Sequence, residues 1–343
     1  TPLIKENGDF REATWEEAMD FTASRLQEII DEAGAGAVYG VGSPRATNEA
    51  NYLFQKLFRS VLGTNNLDNP ARLHYLKAVS ALAQVFGWPQ LSKLEGPKAK
   101  SEPYHSSFNI TEGSEGSGFS FVLGTLDELP KADLAIVIGT DVTPEMPPLG
   151  WALMAARQNE AFKLIVANPR QTKFDRYADL SLRYKPGAER MVIAGLVKAL
   201  LGANPELAPA IQAKGWEEFQ EIPKKYGPKE WAIRSGLEEF TPFEEAAQLL
   251  LQAQAPAIIF GTELLGQDKG DQTALALADL FLLIGRPDNP GSKLYPIAEK
   301  ANTRGACELG VLPDRLPGYL PLNADNAAAF FGSKPPVSEP GPT

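Results

Sequence analysis

The stretch that most constrains the fold is Gly40–Lys77, in which an apolar run gives way to glycines and then to a helical pattern. The glycines after Ala37–Tyr39 allow the backbone to turn tightly at the end of a strand. Thr47 predicts the start of a helix that Gly63 ends, because the apolar residues between them recur at helical spacing. A polar turn and a short strand follow. This succession predicts half of an α/β unit of the type found in nucleotide-binding folds.

Later apolar runs predict the strands of a parallel sheet. They are Ala132–Gly139, Phe162–Ala167, Ala178–Arg183 and Ala257–Gly261. The first is continuous and β-branched, as expected for a strand buried on both faces. Helical patterns separate the runs, so right-handed crossovers are expected. The fold class predicted is therefore α/β with mostly parallel sheets.

Composition excludes some classes of function. The chain has 343 residues, enough for about two domains. Its formal net charge of -10 and pI of about 5.0 argue against nucleic-acid binding, which needs a basic surface. No apolar run reaches the ~18 residues that span a bilayer. The start lacks the apolar region of a signal peptide and is not methionine, so we expect a piece of a longer chain.

Scarce cysteine and histidine limit metal chemistry. Cys307 is the only cysteine, and His74 and His105 are the only histidines. One cysteine excludes an internal disulfide and any iron–sulfur or zinc site built from several cysteines. We predict that Cys307 is a small buried side chain.

Two segments rich in glycine, proline and serine predict irregular structure. Residues 87–123 are predicted to form a long loop, which in a compact domain is usually functional or mobile. Residues 331–343 are predicted to form a flexible tail.

Polar loops that follow the strands are the candidate ligand site, because ligands of open α/β sheets bind at the carboxyl ends of the strands. The loops are Gly40–Arg45, the turn after Leu67, Gly139–Pro148, Asn168–Thr172 and Gly261–Gly266. Their backbone N–H groups suit a dinucleotide-like ligand. The alternative is that they are ordinary turns at strand ends. Neither a Walker A motif nor a G-x-G-x-x-G fingerprint is present.

A few side chains could carry chemistry in these loops. Arg45 and Arg170 each follow a strand end and could pair with phosphates, or alternatively form surface ion pairs. His74–Tyr75 could act as an acid–base pair, although a lone histidine is more often structural. The aspartates 133, 141 and 179 are predicted to cap or hold loops.

Several motifs resemble, in order, the molybdopterin oxidoreductase (DMSO reductase) superfamily. They are SPRATNEANYLFQKLFRSVLGTNNLDNPAR, DLAIVIGTDVTPEMPP, KLIVANPRQTKFDRYADLSLRYKPGAE and NTRGACELGVLPDRLPGY. The pattern is most similar to the large iron–sulfur subunit of respiratory complex I, and next to formate dehydrogenase catalytic subunits. The resemblance implies two interleaved Rossmann-like domains, as in domains II and III of the superfamily. We expect residues 1–74 plus 236–330 in the first domain and 75–235 in the second, with Ala257–Phe260 returning to the first.

The resemblance also implies a place for molybdenum or tungsten on two pyranopterin guanine dinucleotides. The positions that match the cofactor site are Arg45, His74, Gly139, Asp141, Asn168, Arg170, Gly187, Asn302 and Gly305.

The chain departs from the family at the reacting positions. His74 and Tyr75 stand where formate dehydrogenases have a cysteine or selenocysteine ligand and a catalytic histidine, and an imidazole is not the soft ligand expected there. Ala298 stands near the place of the catalytic arginine. Asn168 replaces the usual aspartate, and Glu189 or Arg190 occupies the place of a carboxylate or amide.

These departures predict a vestigial site with no catalytic residue, no bound cofactor and no metal in this segment. The expected function is a non-catalytic portion of the large peripheral-arm subunit of a complex I-type NADH:quinone oxidoreductase, scaffolding the electron-transfer chain. Its partners would be other peripheral-arm subunits, on the cytoplasmic side of the inner membrane, with iron–sulfur clusters in the upstream chain. The alternative is the catalytic core of a molybdopterin guanine dinucleotide oxidoreductase with Mo or W, such as formate dehydrogenase. A third possibility is a free-standing nucleotide-binding or assembly protein.

Overall fold

The computed structural model divides into two compact units. The first unit joins Thr1–Pro70 to Gly305–Thr343, and the second is Ala71–Arg304. The residues that the structure describes are 1–86, 123–207, 216–286, 289–298, 300–331 and 340–341. The predicted loop 87–123, except Leu123, and most of the predicted tail 331–343 lie outside the described residues.

Helices and short strands alternate along the described chain. The strands are β1 Leu3–Glu6, β2 Asp9–Glu12, β3 Gly40–Val41, β4 Leu67–Asp68, β5 Leu134–Ile138, β6 Lys163–Ala167, β7 Leu180–Leu182, β8 Pro256–Phe260, β9 Leu294–Pro296, β10 Arg315–Leu316 and β11 Leu320–Pro321. The helices are α1 Trp15–Ala33, α2 Asn48–Lys56, α3 Tyr75–Phe86, α4 Val142–Glu145, α5 Pro147–Ala156, α6 Glu189–Ala203, α7 Trp216–Glu221, α8 Pro228–Ser235, α9 Thr241–Gln252, α10 Thr262–Leu265, α11 Gly270–Ile284, α12 Thr303–Glu308 and α13 Ala324–Phe331.

The second unit is built on a five-stranded parallel sheet with the order β7-β6-β5-β8-β9. At its centre Ile136 lies beside Ile165 on β6 and Ile258 on β8. Every residue of β5 and β8 is buried. The prediction of an α/β fold with a mostly parallel sheet is therefore confirmed.

The predicted place of Ala257–Phe260 is wrong. These residues belong to β8, which pairs with β5 and β9 inside the second unit, and the whole segment from 236 to 304 lies in that unit. Because β8 is fully buried, its backbone N–H and C=O groups must pair with a strand on each edge. β5 supplies one of these partners and β9 the other. Order along the chain did not reveal this pairing, because parallel neighbours are joined by long crossovers.

The first unit contains the opening motif in a modified form. The predicted strand Ala37–Tyr39 is displaced, because Ala35–Ala37 forms a 3-10 turn and β3 is Gly40–Val41, parallel to β4. A Cβ atom at Gly40 would lie 2.4 Å from the Phe58 ring, so glycine there permits close packing against that ring. The predicted helix start is confirmed, since Thr47 Oγ1 accepts from the Ala50 N–H at 3.3 Å.

An antiparallel hairpin of β1 and β2 was not anticipated. Asn7 and Gly8 form its two-residue turn with φ values of 51° and 97°, and Glu6 pairs with Asp9. Asn-Gly is the residue pair that favours such turns, because both positions need a positive φ. The signal was present in the sequence. Within the described residues, no helix is both long and apolar enough to cross a membrane.

Arg59 holds the two parts of the first unit together. Its side chain is buried, and burial lowers the pKa of its guanidinium to about 10. It donates to the carbonyl oxygens of Gly310, Leu312 and Arg315 at 2.6–2.8 Å. It also donates to Gln55 Oε1 at 3.0 Å and Asn65 Oδ1 at 2.9 Å. A flat guanidinium with several donors suits this cluster of acceptors.

We predict that Arg59→Met lowers the free energy of unfolding by ~3 kcal/mol, since it removes the donors of several buried acceptors together. Equilibrium urea unfolding measures the change. Arg25→Met is the matched control, because Arg25 pairs with Glu28 on an exposed surface and its loss should leave the unfolding curve unchanged. Equal effects of the two substitutions would contradict the role assigned to Arg59.

Candidate cofactor site

The strand order of the sheet reverses between β5 and β8. The loops that begin at Gly139 and at Gly261 flank this switch point, the usual place for a ligand in an open α/β sheet. Gly139 has a φ of +58°, and a Cβ atom there would lie 2.8 Å from Leu264 Cβ. Both conditions require glycine, so the chain passes close to α10 at this point.

Glu145 joins the two loops across the switch point. Its Oε1 accepts from the Asp141 N–H at 3.1 Å, and its Oε2 accepts from Thr262 Oγ1 at 2.8 Å. Asp141 Oδ1 accepts from the Thr143 N–H at 3.0 Å and caps α4. A Cβ atom at Gly261 would lie 2.5 Å from Thr140 Oγ1 and 2.9 Å from Glu145 Oε2. The backbone of the loop after β8 thus packs directly against side chains that follow β5.

A second set of polar contacts fixes the loop after β6. Asn168 Nδ2 donates to the Thr140 carbonyl at 3.2 Å, and Asn168 Oδ1 accepts from the Arg170 N–H at 2.8 Å. Arg183 donates to the carbonyl oxygens of Asn168, at 2.9 Å, and of Arg170. These contacts connect the ends of β5, β6 and β7.

Asp175 anchors the far side of this loop. It accepts from Arg183 Nη2 at 2.6 Å, Ser181 Oγ at 3.0 Å and Thr172 Oγ1 at 2.9 Å. Partial burial opposes its charge, but the hydrogen bonds of Thr172 and Ser181 and the nearby Arg183 outweigh that effect and lower the pKa of the carboxyl. Sequence reasoning missed Asp175, although the Thr172-x-x-Asp175 spacing is a capping-box signal.

Two buried hydroxyls lie at the same edge. The Thr140 hydroxyl forms no hydrogen bond with the described residues, and the Tyr184 hydroxyl lies beside the Glu189 carboxylate. Burial and the neighbouring Glu189 carboxylate raise the pKa of Tyr184. Glu189 is itself buried and accepts from Gln267 Nε2 at 3.0 Å. Native proteins seldom leave buried hydroxyls unpaired, so such atoms mark a place for a polar ligand or water.

A cavity of about 240 Å³ lies in the second unit beyond the end of β9. Tyr75 and Ala298, which the resemblance places at or near reacting positions, both line it. Lys300 and Arg304 line it as well and supply positive charge. Tyr295 contributes a buried hydroxyl that has no partner among the described residues. Burial, with Glu128 and Asp127 nearby, raises the pKa of Tyr295.

The structure places the predicted site positions in both units. Gly139, Asp141, Asn168, Arg170 and Gly187 lie on the strand-end loops of the second unit, and His74 and Asn302 belong to that unit too. Arg45 and Gly305 belong to the first unit.

Three of these positions have contacts that bear on their roles. Arg170 is exposed and forms an ion pair with Glu263. Such a surface ion pair was the alternative to phosphate binding for this side chain. Arg45 is exposed, and its N–H donates to Ser43 Oγ at 3.2 Å. His74 Nδ1 accepts from the Tyr75 N–H at 2.9 Å, at the start of α3.

Among the described residues, no group of three or more His, Cys, Asp or Glu side chains is arranged to hold a metal ion. Cys307 is buried, as predicted, and Asn69 Nδ2 lies 3.9 Å from its sulfur. That His74 binds no metal stays a prediction.

Comparison with known proteins identifies the family. The chain matches the molybdopterin oxidoreductase family over residues 1–330. It is 31% identical over 321 residues to the alpha subunit of an NADPH-Fe(3+) oxidoreductase from Geobacter sulfurreducens, covering 93% of this chain and 34% of that protein. It is 28% identical over 341 residues to formate dehydrogenase H of Escherichia coli, covering 97% of this chain and 43% of that protein.

A solved structure supports the same fold. Acetylene hydratase from Pelobacter acetylenicus superposes with a TM-score of 0.60 at 17% identity, covering 82% of this chain and 34% of that chain. This chain belongs to the molybdopterin oxidoreductase family. It spans 34% of the length of the Geobacter sulfurreducens protein and 43% of the length of formate dehydrogenase H.

These relatives overturn the function expected from the sequence. They are formate dehydrogenases and related molybdopterin oxidoreductases, so the prediction of a non-catalytic portion of a complex I-type NADH:quinone oxidoreductase is wrong. The prediction that this segment holds no cofactor is also wrong, because family and relatives indicate a molybdopterin cofactor. The error was to infer the loss of a whole site from a few changed side chains, although backbone pairing and glycines form the strand-end loops.

We predict that Gly261→Ala destabilises the second unit by ~1–3 kcal/mol, because the added methyl group would collide with Thr140 and Glu145. Gly202→Ala is the control: it lies in α6 with nothing within 4 Å of the added atom, so it should leave stability unchanged or raise it slightly. Urea unfolding of both variants measures the difference. A harmless Gly261→Ala would contradict the tight loop packing.

Proposed function

We propose that this chain is the cofactor-binding core of a molybdopterin oxidoreductase related to the formate dehydrogenases. Two observations support the proposal: the family match over residues 1–330 and the polar loops at the carboxyl edge of the second unit's sheet. When bound, the cofactor would supply a metal centre that exchanges electrons with the substrate. The residues of the chain would hold its dinucleotide and position the substrate.

The second unit fits a guanine dinucleotide. The unpaired hydroxyl of Thr140 can donate to or accept from a ligand, and the glycines at 139 and 261 bring backbone close to it. Glu189 is a buried carboxylate at the position that the resemblance assigned to a carboxylate or amide. A carboxylate is an acceptor, as the N–H groups of guanine require.

The cavity beyond β9 suits a small anionic substrate such as formate. Lys300 and Arg304 offer cationic groups, and the Tyr295 hydroxyl offers a donor. Arginine pairs well with a carboxylate, in two parallel hydrogen bonds. Arg304 is thus our candidate for the role that the arginine near position 298 has in the family.

The test uses the full-length protein, purified with its cofactor. We expect GMP to be released on acid hydrolysis, and dye reduction that depends on formate. Arg304→Ala should raise the KM for formate at least ~10-fold, because it removes one charge-assisted contact and a tenfold change corresponds to ~1.4 kcal/mol. If GMP is released but formate does not reduce the dye, formate is not the substrate, while the proposal of dinucleotide binding stands. Folded protein with neither GMP nor metal would overturn the whole proposal.

Thr140→Val tests the dinucleotide site separately. We predict several-fold less bound GMP at an unchanged urea midpoint, because the variant keeps the shape of the side chain and removes a hydroxyl that has no partner in the described protein. Ser235→Ala is the matched control, since Ser235 Oγ is also buried and unpaired but lies on α8. Equal GMP loss in both variants would contradict this assignment.

His74→Asn addresses the metal. We predict unchanged molybdenum or tungsten content, since imidazole is not the soft ligand of this site and His74 Nδ1 already accepts from Tyr75. Metal analysis and GMP content are measured together. Loss of metal with GMP retained would make His74 a ligand. Association with further subunits of a complex, and a place on the cytoplasmic side of a membrane, stay predictions.

A further inference from the structure

A second cavity, of about 280 Å³, lies in the helical layer of the second unit. We name it the α6–α11 cavity, after two of the helices that supply its walls. The walls are mostly apolar and include Val197, Ile222, Trp231 and Leu275. Its volume is just below the range for ligand pockets, ~300–1,000 Å³, so it matches a ligand with a single ring or a short chain.

One carboxylate lines this apolar cavity. Asp279, on α11, has no hydrogen bond or ion pair with any described residue. Burial alone raises the pKa of its carboxyl to about 6. A half-buried carboxylate without a counter-charge is unfavourable, and a cation placed beside it would relieve that cost.

The charged groups around Asp279 do not provide this cation. Arg190, from α6, also lines the cavity, but it donates to Gln272 Oε1 at 2.7 Å and does not perturb Asp279. Lys198 donates to the Pro223 carbonyl at 3.0 Å, and Lys224 pairs with Glu221. On α3, which packs against α11, Lys77 donates to the Gln267 carbonyl.

We propose that the α6–α11 cavity binds a small amphipathic amine, with its apolar body among the walls and its ammonium group on Asp279. Charge complementarity carries the assignment: the cavity offers apolar area and one unpaired negative charge. The site is formed by residues other than those of the proposed cofactor site and does not depend on its function. A neutral ligand of the same shape lacks the ion pair and binds more weakly.

Benzylamine tests the proposal, with benzyl alcohol as the neutral analogue of similar shape. Both are titrated into the full-length protein and followed by ligand-observed NMR. We expect benzylamine to bind at least ~10-fold more tightly than benzyl alcohol at pH 8. From pH 8 to pH 5 its affinity should fall roughly 10-fold, because Asp279 gains a proton below about pH 6 while the amine stays charged.

Three variants sharpen the test. Asp279→Asn should weaken benzylamine binding at least ~10-fold and remove its pH dependence, leaving benzyl alcohol unaffected. Ala276→Phe should block both ligands by filling the cavity while keeping the carboxylate. Asp271→Asn, an exposed aspartate on the same helix, should change neither. A urea midpoint for each variant shows that it is folded.

The proposal fails under any of three results. These are equal affinity for the amine and the alcohol, wild-type affinity in Asp279→Asn, and no saturable binding of benzylamine up to ~10 mM.

Discussion

Burial of β5 on both faces is the constraint on which the second unit depends. Every residue from Leu134 to Ile138 is buried, so its backbone N–H and C=O groups must pair within the sheet. β6 satisfies one edge and β8 the other. The crossovers from these neighbours leave in opposite directions along the sheet, and ligands of open α/β sheets bind at such a switch point. The candidate cofactor site is therefore positioned by backbone pairing, before any polar side chain is considered.

Polar side chains then fix the loops that this pairing brings together. Glu145 connects the loops after β5 and β8 through a residue 117 positions away, Thr262. Arg59 does the same in the first unit, with carbonyl oxygens more than 250 positions along the chain. Each is a buried or half-buried group whose acceptors or donors would otherwise be unpaired, which is costly. Such contacts specify one arrangement of distant segments, which apolar packing alone does not do.

Local features of the fold were predictable from the sequence, and tertiary features were not. The helix start at Thr47, the buried strand within 132–139 and the loop-holding role of Asp133, Asp141 and Asp179 all follow from spacing and residue type within a few positions. The partner of β8, the Glu145 bridge and the unpaired hydroxyl of Thr140 depend on residues far apart in sequence, which no local pattern encodes. The β1–β2 hairpin is different, because the local pair Asn7-Gly8 specifies its turn.

The functional prediction failed because the strand-end loops and the side chain at position 74 are structurally independent. The loops at the ends of β5 and β8 hold their form through backbone pairing, glycines and Glu145, none of which involves residue 74. His74 instead immediately precedes α3, and its ring accepts a hydrogen bond from the Tyr75 N–H. The form of the strand-end loops is therefore independent of the side chain at position 74. A change of residue type there alters the chemistry of one side chain without altering the backbone pairing that positions the loops.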